Sequence, residues 1–145
     1  MSKKTACFLA LLLIVGSALT IKSGAAAVKA KVCQCVEYTR SATGIQIYGN
    51  ANQWDNNAKS YGYRLSSVPV VGGVVNFEAG AYGGDKLYGH VAKVTGYRDA
   101  GKYWTVQVRH ANWPGSTFTD LGCSNVSDKT FTILKGDTSV HYITR

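Results

Sequence analysis

Blocks of like charge, internal repeats, low-complexity linkers and a second close pair of cysteines are all missing from this 145-residue chain. Without a repeat or a linker, nothing divides it into stacked units or separate domains. From residue 31 its Lys and Arg residues are scattered singly, with no basic helix and no aromatic RNA-binding strand, which excludes nucleic acid as the natural partner. One apolar run, "ACFLALLLIVGSAL", is too short and too poorly flanked for a membrane span. The C-x-C spacing of Cys33 and Cys35 is poor for zinc, so neither a metal nor a cofactor is expected.

What is present begins with a leader. Lys3 and Lys4 precede the apolar run, and the small residues of "SGAAAVKA" offer cleavage after Ala27 or Ala30. Residues 1–30 therefore read as a secretory signal, which removes Cys7, and the mature chain is expected in the periplasm or outside the cell. No membrane association is expected once the signal is gone. Residues 31–145 carry twelve Lys and Arg against eight Asp and Glu. This mild basic excess suits a soluble exported protein and favours approach to anionic envelope polymer. The length is that of a single domain with one core.

Helices come first. "CVEYTRSATGI" has few breakers before Gly44 and predicts a short helix from Cys35 that buries one side. "GNANQWDNNAKSYGY" predicts a second, with Ala51, Trp54 and Ala58 on one face and Gly62 as its stop. From Val68 the texture turns to β. "VPVVGGVVNF" predicts two strand pieces bent at Gly72–Gly73, followed by a glycine-rich loop, "EAGAYGGDKLY". "GHVAKVTGY" and "YWTVQVRHANW" alternate and flank the turn "RDAGK", which predicts a hairpin; "KTFTILK" and "SVHYITR" predict weaker strands. The expected fold class is α+β, with short N-terminal helices packed on an antiparallel sheet.

In that hairpin, His90, Ala92 and Val94 share a face, as do Trp104, Val106, Val108, His110 and Asn112. A turn centred on Ala100 would set Ala92 against Val108, Val94 against Val106 and His90 directly across from His110. Two histidines and Asn112 then cluster at one end of an apolar face. Cys35 opens a helix, where the dipole and free backbone amides favour the thiolate. An imidazole beside such a thiol can take its proton and return it to a leaving amine, while a third polar group orients the ring. Cys35, His90 and one of His110 or Asn112 fit that scheme.

Five stretches, "QCVEY", "GNANQW", "VPVVGGVVNF", "YGHVAKV" and "VRHANW", follow one another as in CHAP domains, the cysteine- and histidine-dependent amidohydrolases and peptidases. The chain resembles that family over nearly all of residues 31–145. The resemblance implies a papain-like α+β fold and cleavage of amide bonds in peptidoglycan. It assigns the nucleophile to Cys35, after Gln34, and the general base to His90, after Gly89. The family often has a glutamate two residues before the Asn-Trp asparagine; here His110 stands there and Asn112 matches the asparagine, so both are orienting candidates. Gln34 is an oxyanion candidate. With Cys35 kept free as the nucleophile, Cys33 is left to pair with Cys123.

The expectation is an exported hydrolase, an N-acetylmuramoyl-L-alanine amidase or an endopeptidase, acting as a monomer. Tyr82, Tyr88 and Trp113 are candidates for the substrate groove. The alternative is a noncatalytic cell-wall or inhibitor-binding module on the same fold, motivated by the absent glutamate.

Overall fold

The computed structural model describes residues 33–114, 123 and 126–145. The expected signal sequence lies outside them. Among the described residues no helix is long and apolar enough to cross a membrane.

The first helix, α1 (Cys35–Thr43), starts where expected, with the Gln34 N–H donating to Glu37 Oε2 at 3.1 Å. It stops at Gly44, whose φ of 71° is a left-handed cap, and buries Tyr38, Thr39 and Thr43. The Thr39 hydroxyl donates to the buried Val91 carbonyl at 3.3 Å. The predicted second helix is a composite in which α2 (Trp54–Ala58) lies between two 3₁₀ turns, Ala51–Gln53 and Lys59–Tyr61. Its Ala51, Trp54 and Ala58 are buried as the spacing predicts, and Gly62 closes it.

Six strands follow: β1 (Arg64–Ser66), β2 (Val74–Phe77), β3 (His90–Ala100), β4 (Tyr103–His110), β5 (Ser127–Leu134) and β6 (Val140–Thr144). They form one antiparallel sheet in the order β1-β6-β2-β3-β4-β5. One face packs Val74, Val91 and Ile143 against Ile45, Ile47, Ala51, Trp54 and Ala58. The other gathers Val75, Phe77, Ala92, Val94, Val106, Val108, Phe131 and Ile133 with Trp113. Strands lie about 4.8 Å apart, so β2 and β5 would stand about 14 Å apart in a flat sheet. The Phe77 and Phe131 rings nonetheless meet at 4.8 Å, so the sheet curls around this second core.

Two expectations are corrected. Val68–Val71 is not a strand: Pro69 interrupts it, and Val68 and Val71 are exposed. Gly72 and Gly73 instead exchange hydrogen bonds with Val94, extending the pairing of β2 with β3, while the short edge strand β1, which has no alternating pattern, went unpredicted. The hairpin register also differs. Its turn is Gly101–Lys102, with Ala100 paired to Tyr103, and a bulge at Thr95 shifts the pairing to Val94↔Val108 and Lys93↔Arg109. His90 is therefore not directly across from His110. Both still point into the same core, because the bulge restores the face alignment that an odd offset would have lost.

Candidate active site

Cys35 stands at the first position of α1, and Thr39, one turn on, ties that helix to β3 beside His90. Cys33 is disulfide-bonded to Cys123, 90 residues away, while Cys35 is free and half-buried. The bridge expected between Cys33 and Cys123 is present, and Cys35 lies outside it. Cys33 packs with Tyr38 and Ala111, and the bridge fastens the residues just before α1 to the segment just before β5.

Gly89 explains the glycine before the histidine. Its φ is +68°, and a Cβ there would lie 2.5 Å from the Phe77 carbonyl oxygen. Only glycine lets the loop close onto β2 at this point and deliver His90 to the start of β3. Asp85 holds the same loop from the other side, with Oδ1 accepting the N–H groups of Leu87 and Tyr88, each at 2.8 Å.

A cavity of about 200 Å³ brings Cys35, His90, Asn112 and Trp113 together with Gln34 and Tyr88. A second, of about 240 Å³, adjoins Cys35 on the side of Val36, Asn50 and Ala51 and shares Gln34 and Tyr88. The thiol therefore sits between two hollows, the arrangement needed to hold a chain on both sides of a reacting bond. Of the groove candidates, Tyr88 is exposed at both hollows and Trp113 forms a nearly buried wall. Tyr82 is elsewhere: its ring packs on Phe77 and Phe131, and its hydroxyl donates to Asp137 at 2.7 Å.

The imidazoles of His90 and His110 are both buried, with ring centroids 5.3 Å apart, and each ring contacts Trp113, at 4.5 Å and 5.2 Å. His90 Nε2 and His110 Nδ1 have no hydrogen-bond partner among the described residues. Burial, then His110 and Lys129, hold His90 down at about 3; burial and Lys129 hold His110 at about 4. Both rings are neutral at neutral pH. Asn112, in a left-handed conformation with φ 52°, donates its amide to Gln34 Oε1 at 2.8 Å and so positions Gln34.

The thiol departs from expectation. The backbone N–H groups of Val91, Val36 and Cys35 do favour the thiolate, yet burial outweighs them and pushes Cys35 up, with a small further push from Asp85. The resting pair is a neutral thiol and a neutral imidazole. Lys129 was not foreseen: its Nζ lies 4.0 Å over the Trp113 ring. It comes from β5, outside every motif, and the β4–β5 pairing, which sets Lys129 opposite Val108, brings it here. Asp85 was legible in principle, as the start of a side-chain-capped turn in "DKLY".

The chain is 32% identical over 85 residues to the staphylococcal secretory antigen SsaA of Staphylococcus aureus, an alignment covering 57% of this chain and 31% of that protein. SsaA of Staphylococcus epidermidis matches to the same extent. This chain thus spans about a third of the length of these relatives. A crystal structure of an N-acetylmuramoyl-L-alanine amidase from Staphylococcus aureus superposes with a TM-score of 0.59 at 29% identity, covering 77% of this chain and 30% of that one. The CHAP domain family model matches residues 25–112, a span that includes Cys35, His90, His110 and Asn112, and the chain belongs to that family.

Proposed function

We propose that this protein is an exported peptidoglycan hydrolase that cleaves an amide bond through Cys35. The observation that carries this reading is the cavity that joins a free thiol at a helix start to a buried neutral imidazole. His90 takes the thiol proton as sulfur attacks the carbonyl carbon, which suits a pair that is neutral at rest. The backbone N–H of Cys35 and the amide of Gln34, its Oε1 already engaged by Asn112, face the developing oxyanion. The tetrahedral intermediate collapses, the imidazolium protonates the leaving amine, and the thioester passes to water. His110 and Trp113 hold the His90 ring by packing, and Tyr88 lines the path of the substrate.

The family and the amidase neighbour support peptidoglycan as substrate, and the secretory relatives support export. Mass spectrometry of fragments from peptidoglycan digested by residues 31–145 tests the reading. New lactyl carboxylates paired with L-Ala amines identify an amidase; new amine and acid ends within the peptides identify an endopeptidase. A digest with neither overturns the proposal. It would favour the noncatalytic wall-binding reading, for which the unpartnered Nε2 of His90 and the imidazole in place of an acid are the supporting features.

A further inference from the structure

Asp55, Glu78 and His141 converge outside the cysteine cavity, from α2, from the residue after β2 and from β6. His141 Nε2 lies 3.6 Å from Asp55 Oδ2 and 3.6 Å from Glu78 Oε1. One donor atom from each side chain lies within 4.8 Å of the others. The frame beneath them is rigid. Asn76, fully buried and paired with His141 across β2–β6, accepts the Asp55 N–H at 3.0 Å and donates to the Ala51 carbonyl at 3.0 Å. The Glu78 N–H donates to the Ser139 carbonyl at 2.9 Å.

Three features set this cluster apart from an ordinary ion pair. The 3.6 Å separations are longer than charged hydrogen bonds, which close to about 2.7–2.9 Å. Glu78 Oε1 is buried and has no hydrogen-bond partner among the described residues. A single imidazolium can neutralise only one of the two carboxylates, whereas a divalent cation neutralises both. Ligand atoms at about 2.0–2.1 Å from a tetrahedral ion lie about 3.3–3.4 Å from one another. The two separations from His141 are within a few tenths of an ångström of that.

We propose that Asp55, Glu78 and His141 bind a divalent transition-metal ion of the zinc class. The imidazole disfavours calcium and magnesium, which prefer all-oxygen shells, while one nitrogen and two carboxylate oxygens suit zinc with a water in the fourth position. The ion would clamp α2 to β6 and to the start of the loop that leads to His90, adding stability rather than chemistry.

Calorimetric titration and thermal melts with zinc, calcium and magnesium chlorides test this, using Cys35→Ala protein so that the site thiol cannot compete. One equivalent of zinc is expected to bind and, at saturation, to raise the melting temperature by at least about 5 °C. Calcium and magnesium should give no shift at the same concentration. Adding Glu78→Gln or His141→Ala should weaken zinc binding by more than the roughly 10-fold cost of losing even an outer-shell partner. Asp55→Asn replaces either variant that fails to fold. Absent zinc binding, affinity unchanged in these variants, or equal shifts with calcium or magnesium would overturn the assignment and leave an ion-pair cluster only.

Discussion

Burial of two imidazoles makes this protein sensitive to mild acid. An unfolded histidine takes up a proton near pH 6.5, an approximate reference value, whereas His90 and His110 resist it down to about 3 and 4. As pH falls below the unfolded value, the unfolded state binds protons that the folded state does not. Stability is therefore complete above that value and declines between it and about 4, by roughly 1.4 kcal/mol per pH unit for each histidine. Chemical denaturation across this range should show that slope, and His110→Gln should flatten it. If the slope is unchanged, His110 is not held neutral by its site. Cys35 carries the opposite expectation. With its thiol pushed up, alkylation by iodoacetamide should stay slow below neutral pH and climb only above the ordinary thiol range. A single adduct, on Cys35, is expected; a rate plateau below neutral pH would show a preformed thiolate instead. At this scale the sequence placed Cys35 at a helix start and both histidines on one face. It could not reveal how deeply they are buried, because that depends on Trp113 and Lys129 closing over them.

The segment between β2 and β3 shows how local backbone geometry aims a side chain. Gly89 cannot acquire a Cβ without meeting the Phe77 carbonyl, so Gly89→Ala should displace His90. It should cost roughly 1–3 kcal/mol of stability and most of the turnover. Thermal melts and activity assays on the variant check this; unchanged activity would show that the loop tolerates a different entry into β3. The hairpin itself was legible from alternation, but its register was not. A bulged residue such as Thr95 leaves the apolar residues evenly spaced on both sides and betrays itself only when the two strands are laid together. The apolar content of Val68–Val71 misled in the other direction, since composition suggests a strand but does not say what would cover it. These misplacements leave the site intact because β3 and α1 are joined through Thr39 and Val91, not through the segments that were misread.

For the molecule as a whole, the Cys33–Cys123 bridge joins the start of the domain to a point just before β5. Closing a loop of 90 residues constrains the unfolded chain by about 4–5 kcal/mol on the chain-entropy estimate. Cys33→Ala/Cys123→Ala should lower the denaturation midpoint accordingly, and non-reducing peptide maps of the native protein should show this pair alone. A map linking Cys35 to Cys123 would reverse the roles given to the two neighbouring cysteines. With the bridge intact, the central claim concerns the remaining thiol: that Cys35 attacks an amide carbonyl of peptidoglycan. The rate of amide cleavage on purified peptidoglycan by wild type and by Cys35→Ala, matched for folding by circular dichroism, tests it most directly. The account predicts a fall of at least about 10³-fold in the variant, as expected when a covalent nucleophile is removed. Comparable rates in the two proteins would contradict it.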